Sequence, residues 1–289
     1  MRLVTFEKAG ATTLGVRRGS EIVNLAVAAP ELPTDLTEFL VAGESAMERA
    51  HSALEHAPAD SVQPLDSVHF LPPVTSPGKI LCLGLNYSSH AEEVGATKKL
   101  DYPIFFTRFR STLVGHGQPM IRPRASEQFD YEGELVAVIG RTTRHVSKAQ
   151  ALESVAGYSV FNDGSLRDFQ MRTRQWTVGK NFDATGGFGP EFVTADELPP
   201  GGAGLRLTTR LNGDVLQNGN TDELIFDVAE IISVASECMT LEAGDLLVTG
   251  TPAGVGFTRD PPIFMKAGDL CEVEIEGIGT LANPIEDEA

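Results

Sequence analysis

Three acidic residues are the strongest candidates for chemistry in this sequence. Glu132 and Glu134 lead into the continuous apolar run 135–139, which is typical of a strand covered on both faces. Residues two apart on a strand point to the same side, so the two carboxylates would repel each other unless a cation lay between them. Asp163 ends a second β-type run, 158–161, and is followed by a glycine. The three carboxylates together predict a site for one hard cation.

The donor set indicates which cation this would be. Three carboxylate oxygens, with no thiolate or imidazole close by in the sequence, suit Mg²⁺ or Mn²⁺ better than zinc. A Glu-x-Glu pair alone more often marks an exposed strand end, and Asp163 is the residue that favours a metal site. Such an ion would keep open positions for a substrate.

A histidine and a glutamate form a candidate catalytic dyad. The segment 86–93 follows a predicted strand, and its pattern predicts a helix start with Ser89 as N-cap and Glu92 closing a capping box. His90 and Glu93 are three residues apart on that helix, where side chains meet. The carboxylate would hold the imidazole in one tautomer and stabilise its protonated form, as a general base requires. This spacing is otherwise typical of an ordinary surface pair.

The chain that must position these residues is predicted to be mainly β with a few helices (α+β). Its β-type runs are short and separated by Gly, Asn-Gly or Gly-Asp turns; they are 80–83, 104–106, 135–139, 158–161, 205–211, 246–248 and 271–275. The clearest helix begins after Asp227, where Glu230 completes a capping box. Another is predicted from Ser147 to Gly157. The polar loop from Tyr87 to about Tyr102 is a candidate lid.

Two domains are predicted. Residues 1–72 contain three short β-type runs and then a helical region opened by Asp35, which indicates a small N-terminal α/β domain. The proline-rich segment 71–78 marks the boundary, because proline forbids helix and restricts the residue before it. Residues 73–289 form the second and larger domain.

Composition excludes several partners. The formal net charge of -17 over 289 residues argues against nucleic acid and anionic membranes. No apolar segment reaches the roughly 18 residues of a membrane span, and the N-terminus lacks a signal peptide, so a cytoplasmic protein is expected. The three cysteines are far apart in apolar sequence and are predicted to be buried, reduced thiols: Cys82, Cys238 and Cys271.

The motifs taken together resemble the fumarylacetoacetate hydrolase family, over about residues 79–284. The matching stretches are 79–87 with His90 and Glu93, 130–140, Asn162-Asp163 with Arg167-Asp168 and Gln170, 179–183, and 249–256. The resemblance implies the family's mixed β-sheet roll, usually assembled as a homodimer. The small N-terminal unit also looks like one that many bacterial members carry.

The resemblance also implies roles by position. The family's metal ligands fall on Glu132, Glu134 and Asp163, and its dyad on His90 and Glu93. Lys180 matches its substrate-contacting lysine, while Gln170 and Thr251 match positions that bind substrate oxygens. The sequence departs from the family's usual pattern at four positions. Arg108, a predicted substrate contact, stands where relatives often have lysine, and Phe109 where they often have proline. Gly164 replaces a larger apolar residue, and Glu191 stands where many relatives have tryptophan.

The function expected from these residues is metal-dependent hydrolysis of a carbon–carbon bond in a small 2,4-dioxo acid, an acylpyruvate or fumarylpyruvate, by water activated at His90. A decarboxylase or isomerase of 2-oxo acids is the alternative within the same scaffold, acting on oxaloacetate or on dicarboxylates from aromatic catabolism. A non-catalytic ligand-binding protein with a structural cation is the alternative from a different class.

Overall fold

A computed structural model describes residues 1–95 and 100–289 of the chain. Residues 96–99 of the candidate lid lie outside the described residues. Nineteen strands are present in the described part: β1 Arg2–Lys8, β2 Ala11–Arg18, β3 Glu21–Asn24, β4 Val62–Pro64, β5 His69–Phe70, β6 Ile80–Gly84, β7 Ile104–Thr107, β8 Leu113–Val114, β9 Met120–Arg122, β10 Phe129–Asp130, β11 Gly133–Ile139, β12 Val155–Asp163, β13 Ser165–Leu166, β14 Gly186–Thr194, β15 Arg206–Leu211, β16 Asp214–Asn220, β17 Leu246–Val248, β18 Leu270–Ile275 and β19 Gly279–Asp287. The same part contains eight α-helices: α1 Leu25–Ala28, α2 Leu36–Ala42, α3 Glu44–Glu55, α4 Ser88–Glu93, α5 Lys148–Ala151, α6 Arg167–Gln170, α7 Thr177–Lys180 and α8 Val228–Cys238.

A twelve-stranded mixed sheet forms the body of the molecule. Its strands follow the order β4-β3-β2-β1-β14-β12-β11-β17-β6-β7, with β5 beside β1 and β8 beside β14. Most neighbours are antiparallel, while β6 with β17 and β8 with β14 are parallel. The predicted mainly β fold with a few helices is therefore confirmed.

The central strand β11 is covered on both faces, as its continuous apolar sequence predicts. Leu135 and Ala137 pack in one core cluster with residues of a second sheet, such as Val273. That five-stranded sheet has the order β16-β15-β18-β19-β9. Val136 and Val138 point the other way and pack with the N-terminal helices. Every residue of β11 is buried, because apolar side chains on both faces leave water no access.

The N-terminal segment is built on the edge of the large sheet. Strand β1 pairs with β14, and side chains of β1, β2 and the three N-terminal helices share a core with Val136, Phe161 and Val248. Asp35 caps α2 as predicted, accepting hydrogen bonds from the backbone of Thr37 and Glu38. The sheet thus runs across the predicted boundary at residue 72. That residues 1–72 form a separate domain stays a prediction.

The predicted helix start at Ser89 differs in the structure, whereas that at Asp227 agrees. Asp227 accepts a hydrogen bond from the backbone of Glu230 and α8 follows directly. The predicted capping box of Ser89 is wrong: the N-cap of α4 is Tyr87, and Ser89 instead accepts a bond of 3.5 Å from the backbone of Ala253. A loop contact distant in sequence has replaced the local one.

The helix predicted from Ser147 to Gly157 is much shorter. After α5 the chain makes one 3₁₀ turn and enters β12 at Val155. The Ser147 hydroxyl bonds to the Gln150 side chain and makes no bond to the backbone. The β-branched residues of β12 are needed in the sheet centre, so sheet pairing overrides the local helix pattern.

The cysteine prediction is confirmed for two residues and corrected for one. Cys82 and Cys271 are buried free thiols, but Cys238 is exposed. It is the last residue of α8, where the helix end turns away from the core. In the described part of the chain, no helix has the length and apolar character to cross a membrane.

Candidate functional site

The three predicted metal ligands converge in the structure. Glu132 directly precedes β11, Glu134 lies within it, and Asp163 ends the neighbouring strand β12. The antiparallel register pairs Glu134 with Phe161, so Glu132 stands opposite Asp163, whose backbone N–H donates to the Glu132 carbonyl at 2.9 Å. One carboxylate oxygen from each residue lies within 4.8 Å of the others, and all three residues are buried. Strand pairing therefore brings residues thirty positions apart into one cluster.

Buried cations surround this acidic cluster. The ammonium of Lys180, which ends α7, donates to Glu132 Oε2 at 2.9 Å and to Asp163 Oδ2 at 2.6 Å. Arg167 Nη1 lies 2.6 Å from Glu132 Oε1. Without such partners, burial of several like charges would cost a large free energy of desolvation.

Glu134 is the least compensated member of the cluster. Burial and the neighbouring Asp163 and Glu132 carboxylates raise the pKa of Glu134 well above its usual value, although the Gly250 backbone N–H donates to it. Burial would also raise the pKa of Glu132, but Lys180 and Arg167 outweigh that effect and lower it. An oxygen-only donor set with one under-compensated carboxylate has capacity for further positive charge. The residues present therefore fit a divalent cation.

His90 and Glu93 contact each other as their spacing predicts. His90 Nδ1 lies 3.2 Å from Glu93 Oε2, and the other carboxylate oxygen accepts bonds of 2.9 Å from Gly254 N and the Thr258 hydroxyl. Burial alone would raise the pKa of Glu93, but these hydrogen bonds, led by the one from His90, lower it. A carboxylate that accepts at Nδ1 places the histidine proton there and leaves Nε2 free to act as a base.

A cavity of about 270 Å³ joins the dyad to the acidic cluster. His90 and Glu132 both line it, together with Lys180. The predicted substrate contacts Gln170 and Thr251 also lie in its wall. Five of the nine predicted site residues therefore line one small cavity, whereas Glu93, Glu134, Asp163 and Arg108 do not.

Arg108 lies elsewhere than its predicted role requires. Its guanidinium is fully buried, donates to Asp163, to the Gly164 carbonyl at 3.0 Å and to the Thr185 hydroxyl at 2.8 Å, and does not line the cavity. The prediction of a substrate contact is corrected: the guanidinium bonds only to protein groups outside the cavity wall, where it neutralises the buried Asp163 carboxylate. Arg108 therefore holds the Asp163 side chain in place.

Sequence reasoning missed the role of Arg167. Its Nε donates to Asp130 Oδ2 at 2.8 Å, its Nη1 donates to Gln170 Oε1 at 2.8 Å, and its guanidinium lies 4.4 Å from the Phe257 ring centre. Its Nη2 is buried and has no hydrogen-bond partner in residues 1–95 and 100–289. Arg167 lines the cavity, and its guanidinium contains one buried donor that the described protein groups leave unsatisfied. The only sequence signal was its place in a motif with Asp163.

Comparison with known proteins matches most of the chain to one family. The family model described as "Fumarylacetoacetate (FAA) hydrolase C-terminal" matches residues 79–286. A relative from Xenopus laevis, "Oxaloacetate tautomerase fahd2, mitochondrial", is 39% identical over 292 residues, covering 99% of this chain and 90% of the relative.

Solved structures are similar over the whole length as well. The fumarylacetoacetate hydrolase from psychrophilic Exiguobacterium antarcticum is 36% identical, with a TM-score of 0.86 and complete coverage of both chains. Maleylpyruvate hydrolase from Sphingobium sp. SYK-6, solved in complex with manganese(II) ion and pyruvate, is 28% identical, with a TM-score of 0.84 and the same coverage. A family model over most of the chain and a relative this similar leave one conclusion: the chain belongs to the fumarylacetoacetate hydrolase family.

Proposed function

We propose that this protein is a 2-oxo acid isomerase that interconverts the keto and enol forms of oxaloacetate or a closely related 2-oxo dicarboxylic acid. The observation that carries the proposal is the shared cavity, which is lined by His90, Glu132 and Lys180, with Glu93 bonded to His90. The sequence alone favours hydrolysis. The tautomerase relative, 39% identical along almost the whole chain, favours the isomerase alternative instead.

Glu132, Glu134 and Asp163 would hold Mg²⁺ or Mn²⁺. Bound there, the ion would supply a Lewis acid for the carboxylate and 2-oxo oxygens of the substrate. Lys180 and Arg167 lie beside the same carboxylates, and both cations face the cavity. Their positive charge would stabilise the negative charge that develops on the substrate when it loses a proton.

The dyad would move that proton. His90 Nε2 accepts a proton from C3 of the 2-oxo acid, and the C–H electron pair becomes the C2–C3 double bond of the enol. Glu93 stabilises the positive imidazole through Nδ1. The same histidine then returns the proton to the 2-oxo oxygen, so the reaction is a net isomerisation. The Arg167 guanidinium, which lines the cavity, would bind the second carboxylate of the substrate.

The test is the ultraviolet absorbance of enol-oxaloacetate mixed with purified protein and Mg²⁺. Decay to the keto form should be accelerated, and H90A should reduce the rate by about 10²–10⁴, the usual contribution of a general base. The matched control is E92Q on the same helix, because Glu92 is exposed and makes no cap bond. Full activity in H90A would remove the dyad from the mechanism.

Hydrolysis of an acylpyruvate remains a second candidate function. The manganese and pyruvate complex of the similar maleylpyruvate hydrolase favours it, since this chain has the same overall fold. Product analysis separates the reactions: an acid plus pyruvate indicates hydrolysis, CO₂ indicates decarboxylation, and unchanged composition indicates tautomerisation.

A further inference from the structure

The cavity wall contains both polar and apolar side chains. Glu132, Lys180, Arg167 and Gln170 are its polar members, beside which a 2-oxo acid head group would bind. The rest of the wall is mostly apolar and contains Leu83, Leu85, Val94, Phe106, Met171 and Trp176. At about 270 Å³ the cavity is smaller than the roughly 300–1,000 Å³ of sites for drug-sized ligands. The apolar wall therefore decides how far a substrate chain can extend.

Trp176 is the largest side chain of that wall. It stands between α6 and α7, directly after the exposed segment 171–175. Its ring meets Phe106 edge-on, with centroids 5.7 Å apart. Its other side lies against Gly84 at the end of β6, so closely that a Cβ atom on Gly84 would overlap the indole. Glycine at residue 84 is thus what allows the indole to lie where it does.

We infer that Trp176 determines substrate length: its indole, packed between Phe106 and Gly84, occupies part of the apolar wall of the cavity and restricts the enzyme to short 2-oxo acids, of about the size of oxaloacetate. This inference rests on the proposed function and specifies its substrate class. The bulky ring takes the space that additional carbons of a longer acyl chain or dienedioate would need. Removing the ring should admit them.

A series of 2-oxo acids tests this inference through binding. Pyruvate, 2-oxobutyrate, 2-oxohexanoate and 2-oxooctanoate are titrated calorimetrically into the Mg²⁺-loaded protein and into W176A. The natural chain should gain no affinity beyond the shortest members, whereas W176A should gain about fourfold for each added methylene it can bury. F109A is the matched control, because Phe109 is an exposed aromatic outside the cavity wall, and its length dependence should match the unchanged protein.

Fluorescence provides a second readout that needs no turnover. Trp176 is the single tryptophan of the chain, so its emission reports on the cavity directly. Pyruvate with Mg²⁺ should change the emission, and G84A should shift it without ligand because the new methyl group must displace the indole. G84A also covers the case in which W176A does not fold. Equal length dependence in the natural chain and W176A, or an emission unchanged by both pyruvate and G84A, would overturn the inference.

Failure of the proposed function is distinguishable from failure of this inference. If oxaloacetate is not isomerised while W176A still extends the range of acids bound, Trp176 limits chain length in an enzyme with another reaction. If oxaloacetate is isomerised and W176A binds the same acids as the natural chain, the reaction stands and the role of Trp176 is refuted.

Discussion

At the scale of single residues, the site is defined by unequal charge compensation. Lys180 and Arg167 contact Glu132, and Arg108 and Lys180 contact Asp163. Within residues 1–95 and 100–289, Glu134 has no ion-pair partner. Its carboxylate accepts one hydrogen bond, from the backbone N–H of Gly250. Two of the three carboxylates are therefore compensated by buried cations, whereas the ionised form of Glu134 is disfavoured.

This imbalance predicts a pH-dependent effect of Mg²⁺ on stability. The pKa of Glu134 is raised above 4.5 in the folded state, so above that pH the metal-free folded chain retains a proton that the unfolded chain has lost. Stability of the metal-free protein should then fall as pH rises toward the folded-state pKa. Mg²⁺ replaces the proton, so its increase of the melting temperature should be larger at about pH 8 than at about pH 6. E134Q is the control, and equal shifts at both pH values would contradict the prediction.

At the scale of elements, two helix starts with the same capping-box pattern differ in whether the N-cap side chain bonds the helix backbone. Asp227 and Ser147 both precede a residue pattern typical of a capping box. Asp227 bonds the backbone of Glu230 at 2.8 Å, but Ser147 bonds a side chain and makes no backbone bond. Only the first of these residues satisfies a free backbone donor at a helix start.

The two residues should differ when replaced by alanine. D227A should lower the free energy of unfolding by about 1 kcal/mol, the usual cost of losing an N-cap. S147A is the matched control and should change it by less than about 0.5 kcal/mol, as surface substitutions do. Urea denaturation measures both. A loss in S147A equal to that in D227A would show that Ser147 caps its helix as strongly as Asp227 does.

At the scale of the whole molecule, one buried glutamate joins the N-terminal segment to the rest. Glu191 in β14 accepts 2.7 Å bonds from Arg2 in β1 and Arg17 in β2 through the same oxygen. Arg2 also donates to the carbonyls of Gly277 and Ile278 in the second sheet region. Ion pairs through Glu191 thus link β14 to the first two strands of the chain.

Replacing this glutamate should weaken the attachment measurably. E191Q keeps the shape but removes the charge shared by two arginines, and it should cost about 1–3 kcal/mol of unfolding free energy, the range for losing charged hydrogen bonds. E21Q is the control: its partner Arg18 is exposed, as Glu21 is, so the cost should be below about 1 kcal/mol. Equal stability of E191Q and the natural chain in urea would show that the arginines contribute nothing.

The sequence by itself determined the strands, the acidic cluster and the dyad. The apolar run of β11 and the two-residue spacing of Glu132 and Glu134 follow from strand periodicity, which is local. The contact of His90 with Glu93 likewise follows from helical spacing. Asp163 was found from its place at the end of a β-type run, and a family resemblance added Lys180. Local geometry is encoded within a few residues, so it can be read from them.

Only the tertiary structure decided which contacts form between segments that are distant in the chain. The inward position of Arg108, the free donor of Arg167 and the contact of Trp176 with Gly84 all depend on which strands and loops become neighbours. The same holds for Ser89, which makes a loop contact in place of a helix cap. These outcomes are set by packing and by the need to pair buried charges, and both involve residues far apart in the chain.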